Sequence, residues 1–378
     1  MISGGSFLNR DLIDPLLEGL AIYGTGGGGS SEFGRKILLN DMDLGRDVEI
    51  VKPEDVENDA LVVSGGILGS VKEIDNISFD DVVARWEDGY ELTKALYLVE
   101  EYFDEKVDYL VPFELGGLNT PAILSLGARE GIPVVDGDAL GRAAPATHMT
   151  SFFGHGISIT PMAMIDVEGD SVLISETPDA KFPDQLGRWM VTRGAGMGAN
   201  NHYPMTGKEF KHSVIPGTIE KALDLGGVVI DARNAGRSPV EAVVDETDGN
   251  LLLRKGRVEE IEEENKGGFL LKKVVVKGRQ GKVELFIKNE VMLCRQNGKD
   301  RCIFPDLALI LDPETGRGLM STELEEGLRL SLITTSCHPR LREASQTERG
   351  KIAFDPEEFG FADLTYEPLE KLEGNDGR

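Results

Sequence analysis

Residues 109–142 read YLVPFELGGLNTPAILSLGAREGIPVVDGDALGR, and the order of patterns in that stretch decides the fold. The apolar run at 109–112 reads as a strand, 121–129 carries helical periodicity, and 132–135 is again a short strand-like run. Strand, helix, strand at this spacing predicts parallel strands joined by right-handed crossovers. Working outward toward the N-terminus, 91–103 has helical spacing, while 60–63 and 48–51 read as strands. A helix at 11–21 places Leu12, Ile13, Leu16, Leu17 and Leu20 at helical spacing behind a cap at Asn9 or Asp11, and Phe33, Ile37, Leu38 and Met42 suggest a second helix. The expectation over residues 1–165 is an α/β domain, a three-layer α/β/α sandwich on a mainly parallel sheet.

In the C-terminal direction the character changes. Runs at 157–165 and 172–174 read as strands around the turn Glu168-Gly169-Asp170, and helical stretches follow near 184–192 and 216–225. From 241 to 335 short β-branched or leucine-rich runs alternate with glycine turns, which predicts a β-rich second domain, barrel or sandwich, over 166–378. A few helices belong to it, and its extreme C-terminus is expected to pack back on the first domain. The acidic run 259–264 reads as a solvated loop or strand face.

Composition agrees with two domains, since 378 residues exceed what one core usually organises. Forty Lys and Arg against 66 Asp and Glu leave a formal charge of −26, a field that repels polyanions and argues against nucleic acid. Residues 1–9 lack a charged segment followed by an apolar one, and no run of eighteen apolar residues occurs, so the expectation is a cytoplasmic protein without a membrane partner. Cys294, Cys302 and Cys337 lack CxxC spacing, which argues against a disulfide framework or a cysteine zinc site. A homo-oligomer is the base-rate expectation.

Three predicted strands end in glycines or acids: Ser64-Gly65-Gly66, Glu114-Leu115-Gly116-Gly117 and Asp136-Gly137-Asp138. Ligands of parallel α/β sheets bind outside the carboxyl ends of the strands, so these loops should share one rim. In the loop 134–145, Asp136, Asp138 and Arg142 crowd two carboxylates and a guanidinium together. That permits general acid–base chemistry, or a divalent cation bridging the acids, or a capping aspartate with a structural ion pair. Gly24-x-Gly26-x-x-Gly29 satisfies the dinucleotide pattern literally, but it follows a helix rather than a strand. Backbone N–H groups of Gly26, Gly27, Gly28 and Gly29 can instead hold an oxyanion at a helix N-terminus, or the glycines serve a turn. Among His148, His155 and His202 none has metal-motif spacing; His148 is the best candidate because of its neighbours. Cys337-His338 are adjacent in sequence, which argues against a cooperating pair.

From Glu114 to Met149 the chain resembles the S-methyl thiohydantoin desulfurase family, long an uncharacterised domain family associated with hydantoinases. The likeness rests on Gly26-Gly27-Gly28-Gly29, Glu114-x-Gly116-Gly117, Pro133-Val134-Val135-Asp136-Gly137-Asp138 and Gly141-Arg142-Ala143-x-Pro145. It continues with Asn289-Glu290, Pro305-Asp306-Leu307, Asp312-x-x-Thr315-Gly316 and Phe359-Gly360. Where the family pattern follows the proline with Glu-Leu-Gln, Pro145 is followed here by Ala146-Thr147-His148. The resemblance implies an α/β domain, a β-rich domain and water attack at an sp² carbon of a hydantoin-like ring, with methanethiol and a hydantoin as products of the named activity.

On that reading Asp136 or Asp138 is the base, Glu114 a second carboxyl and Arg142 the orienting charge. Gly26–29, Gly116, Gly117, His148, Asn289 and Glu290 bind substrate. Glu114, Asp136, Asp138 and His148 are the candidates for a divalent metal. A non-catalytic ligand-binding subunit partnering a hydantoinase-like enzyme is the second reading, and a nucleotide-binding protein the third.

Overall fold

The computed structural model describes residues 6–69, 78–193 and 196–374; residues 1–5, included in the reading of the N-terminus, lie outside them. The first sheet has eight strands in the order β1-β2-β5-β4-β3-β9-β7-β8. They are β1 (Ser6–Phe7), β2 (Glu49–Val51), β3 (Leu61–Gly69), β4 (Tyr109–Pro112), β5 (Val134–Val135), β7 (Met162–Asp166), β8 (Ser171–Ile174) and β9 (Met197–Thr206). The centre β2-β5-β4-β3 is parallel, as the strand–helix–strand grammar predicts, and β1, β9, β7 and β8 add antiparallel flanks. Helices Glu91–Phe103 and Asn119–Glu130 pack on this sheet, as does Phe182–Arg193 against β3, β7 and β9.

Local signals explain the helix ends. Asn9 accepts from the Asp11 N–H ahead of the helix Ile13–Tyr23, and the Ser30 hydroxyl accepts from Phe33 N to start Ser31–Asp43. The helix Ile13–Tyr23 packs against Thr218–Asn234 at very short range. A Cβ at Gly19 would lie 1.8 Å from the Ala222 carbonyl oxygen, and one at Gly226 would lie 1.8 Å from that of Pro15, so glycine at both positions is what lets the backbones meet.

Strands β6 (Gly137–Asp138) and β10 (Ile215–Pro216) form a separate two-stranded ladder. The second large sheet, order β15-β14-β13-β12-β11-β17-β16, is antiparallel throughout and curls into a half-barrel. Its strands are β11 (Asn250–Lys266), β12 (Phe269–Gly278), β13 (Gly281–Lys288), β14 (Glu290–Gln296), β15 (Lys299–Ile303), β16 (Leu307–Leu311) and β17 (Arg329–Thr335). Register shifts in β11 against both neighbours supply the curl. Val258, Val274, Val283, Leu285, Ile310 and Leu332 fill its core, and the acidic run 259–264 lies on the exposed part of β11, as expected. The chain is thus α/β followed by β.

Several boundaries differ from the sequence reading, each for a physical reason. Ser64-Gly65-Gly66 lies inside β3, because β9 pairs with it antiparallel as far as Gly69. The strand expected at 157–165 begins only at Met162, after Pro161, which has no N–H to give a ladder. Residues 241–246 are helical: Pro239 and the Ser238 cap start Pro239–Glu246 before β11 begins. The helix expected at 216–225 runs to Asn234. Residue 165 falls within β7, whose partners β8 and β9 in the same sheet come later in the chain.

Candidate active site

A cavity of about 110 Å³ opens where the ends of β3 and β4, the loop 143–147, the helix Phe182–Arg193 and β9 meet the first residue of β14. Gly28 and Gly29 form part of its wall. Its chemistry comes from Glu114, Asn200, His202 and Glu290, all buried.

Glu114 follows β4. Its Oε1 accepts from Asn119 Nδ2 at 2.6 Å and its Oε2 from Ala144 N at 2.8 Å, while Asn119 Oδ1 accepts from Ile67 N at 2.9 Å. The side chain is thereby tied to the helix Asn119–Glu130, to the arginine loop and to β3. Burial pushes its pKa up to about 7, against the opposing pull of the two donors and of Arg142. Glu290 enters from the β domain behind Asn289, whose positive φ of 60° turns the chain into β14. Glu290 Oε2 has no hydrogen-bond partner among the described residues, and burial, reinforced by the charge of Glu114, raises its pKa well above the usual range. Two buried carboxyls that feel each other's charge resist ionising together. The donors around Glu114 make it the one that ionises, and Glu290 retains its proton.

On β9, Asn200 and His202 face the same cavity, as alternate strand residues must. Asn200 Oδ1 and both His202 ring nitrogens lack partners among the described residues. Burial lowers the His202 pKa to about 4, so the ring is neutral across the ordinary range, and it meets Phe113 edge-on at 5.4 Å. The Thr147 hydroxyl is likewise buried and unpartnered. Arg188 also lines the cavity, but its guanidinium is occupied. It pairs with Asp184 at 2.7 Å, donates to the Pro145 and Gly268 carbonyls, and stacks over Phe269 at 3.7 Å. The site therefore offers an acid–base pair and neutral polar groups, with its guanidinium already engaged.

The remaining sequence candidates stand behind this wall. Asp136 Oδ1 accepts from Ile219 N at 2.8 Å and Glu220 N at 3.2 Å, capping the helix Thr218–Asn234 from outside its own chain segment. Both Asp138 oxygens accept from Gly141 N, closing the turn that leads to Arg142. Burial raises the Asp136 pKa to about 6 and that of Asp138 well above its ordinary value. Neither aspartate lines the cavity, because backbone donors claim both.

Arg142 is fully buried and grips no carboxylate. It donates to the carbonyls of Ala143 (2.9 Å), Asp306 (2.7 Å), Pro305 (3.3 Å) and Val291 (3.1 Å) and to the Thr25 hydroxyl (3.0 Å), with Phe304 stacked at 4.7 Å. This guanidinium is a clamp between domains, and through Val291 it fixes the residue beside Glu290. His148 is buried with both nitrogens unpartnered, yet it is Thr147, not His148, that reaches the cavity. Asn289 lines the cavity while its Oδ1 accepts from Leu270 N at 2.9 Å.

The glycine loop serves close packing. A Cβ on Gly27 would lie 1.8 Å from Glu290 Oε1, one on Gly28 2.5 Å from the Gly116 Cα, and one on Gly117 2.4 Å from Ser31 Oγ. Gly26 lies behind the wall beside Ser321. The loop joins two helices and is filled by protein atoms, which removes the space a pyrophosphate needs. As for metal, Glu114, Asp136 and Asp138 have separate partners, and no group of three or more His, Cys, Asp or Glu among the described residues is placed to hold an ion.

An α/β domain whose strand-end loops meet an antiparallel β domain around a buried acidic cavity defines a two-domain α/β-plus-β protein. Residues 11–176 match the S-Me-THD-like N-terminal domain and residues 178–369 the S-Me-THD-like C-terminal domain. The chain belongs to this family, the S-methyl thiohydantoin desulfurase-like proteins. A crystal structure of a protein from Chromobacterium violaceum shares the fold, with a TM-score of 0.77 at 20% identity over 96% of this chain and 100% of that one. No curated protein matches. No helix among the described residues is long and apolar enough to cross a membrane.

Proposed function

We propose that the protein is a hydrolase that replaces the methylthio group of an S-methyl thiohydantoin-like ring with water, releasing methanethiol and a hydantoin. The observation that carries this reading is the buried Glu114–Glu290 pair in a cavity where Asn200 Oδ1, both His202 ring nitrogens and the Thr147 hydroxyl have no partner among the described residues. The space of about 110 Å³ is smaller than the roughly 150 Å³ that encloses benzene, so it leaves no room for a nucleotide, and a small heterocycle would sit in it with one edge toward its open mouth. Unpartnered Asn200 and His202 offer hydrogen bonds to the amide edge of such a ring.

The carboxyls divide the chemistry. Glu114, ionised, takes a proton from water as its oxygen attacks the sp² carbon bearing sulfur, while Glu290 gives its proton to the adjacent ring nitrogen, so no charge accumulates on the adduct. The carbon–sulfur bond then breaks: Glu114 returns its proton to the departing sulfur, and the new hydroxyl becomes a carbonyl by giving its proton to Glu290. Both side chains end as they began.

The test is direct. Incubation of purified protein with an S-methyl thiohydantoin should release titratable thiol and form hydantoin, and Glu114→Gln or Glu290→Gln should each cost on the order of a hundredfold or more in turnover. Folded protein that releases no thiol, or glutamine variants as active as the parent, would sink the proposal. A second reading, ring binding without turnover, draws on Ala146, which lines the cavity where the family pattern has an acid. It predicts calorimetric binding of the ring with its chemistry unchanged.

A further inference from the structure

A second cavity, of about 160 Å³, lies against the same two loops from the other side. Leu115 and Gly141 line it, whereas Glu114 and Ala144 line the first, so one pair of loops contributes to both. The rest comes from both domains: Tyr23 at the end of the helix Ile13–Tyr23, Lys221, Glu246, Asp248 and His338.

Tyr23 is only 4% exposed, yet its hydroxyl has no hydrogen-bond partner among the described residues. A buried phenol normally finds an acceptor, so this one faces the space where an acceptor would sit. The Lys221 ammonium is 5.8 Å from the centre of the Tyr23 ring and is exposed at the rim. Lys221 forms no ion pair among the described residues, and neither do the exposed acids Glu246 and Asp248. Other charges near the junction do pair, Arg233 with Glu18 and Lys255 with Glu314. A cation and two anions thus share one rim without answering each other, above a floor that lacks an acceptor.

We infer that this cavity is a second small-molecule site whose ligand is a small zwitterion of the α-amino acid type. Its carboxylate accepts from the Tyr23 hydroxyl and meets Lys221; its ammonium meets Glu246 and Asp248. A simple carboxylate would leave the two acids unanswered, and a simple amine would leave Tyr23 and Lys221 so. The volume is near the roughly 150 Å³ that holds a benzene ring, which limits the ligand to an amino acid with a short side chain.

Calorimetry on the intact protein tests this with glycine, L-alanine, L-serine and L-valine as probes and with acetate and methylamine as half-ligands. At least one amino acid should bind, with acetate and methylamine at least tenfold weaker. Tyr23→Phe, which keeps the buried ring, and Lys221→Gln should each weaken that binding at least tenfold without lowering the melting temperature. Glu290→Gln, in the first cavity, should leave it unchanged, so the result is independent of the activity proposed there. No binding of any of the four amino acids at millimolar concentration overturns the inference, as does binding that survives both Tyr23→Phe and Lys221→Gln.

Discussion

Glu114 and Glu290 are the same residue type in the same cavity, and their surroundings give them opposite tasks. Glu114 accepts two hydrogen bonds and burial pushes its pKa up to about 7; Glu290 has an oxygen without a partner among the described residues, and burial with the charge of Glu114 raises its pKa well above the usual range. On the proposed mechanism, activity needs the first ionised and the second protonated. The kcat/KM profile should therefore rise as pH increases through about 7, where Glu114 loses its proton, and fall again at higher pH as Glu290 loses its own. His202 cannot supply the rising limb, because it is already neutral above about 4. A profile that rises near 7 unaltered in Glu114→Gln would assign that limb to another group. Glu114 and Glu290 were legible in the sequence through the family motifs. The roles of Asp136, Asp138 and Arg142 were not, because crowding of charges along the chain says nothing about which backbone N–H and carbonyl groups will meet them. Helix Thr218–Asn234 takes the first aspartate and four carbonyls take the arginine, and each of those partners except the Ala143 carbonyl lies more than eighty residues away.

β9 is the element whose sequence hid it best. Asn200-Asn201-His202 is a poor strand former by composition and gives no strand signal, yet it lies in the strand that pairs along β3 and carries two cavity groups. The parallel centre was readable because its strands are short apolar runs between helices; β9 was not, because its buried positions Asn200, Asn201 and His202 are polar. Such positions cost stability, about 1–3 kcal/mol for each buried polar group left unsatisfied. Asn200→Leu and His202→Phe should consequently keep or raise the melting temperature while abolishing calorimetric ring binding. Variants that melt lower and still bind would show that these side chains serve the fold alone.

At the scale of the whole molecule, the site exists only where the domains meet, since Glu114 belongs to one and Glu290 to the other. Arg142 joins them through Val291, Pro305 and Asp306, and Arg188 does so through Gly268 and Phe269. Arg142→Lys keeps a charge but loses the planar fork, so it should lower both the melting temperature and turnover. Unchanged melting with lost turnover would instead place the guanidinium on the substrate. Gly27 makes the junction a matter for genetics as well. Its backbone is free to accept alanine, but a methyl group there would occupy the seat of the Glu290 carboxyl, 1.8 Å from Oε1. Gly27→Ala should therefore yield a less stable, inactive protein with its lesion displayed in the other domain. In a screen for restored folding stability, suppressors of Gly27→Ala should arise at position 290 as shorter side chains, and none of them should restore thiol release. The two positions are then a linked pair, free to vary in concert for stability and locked together by activity.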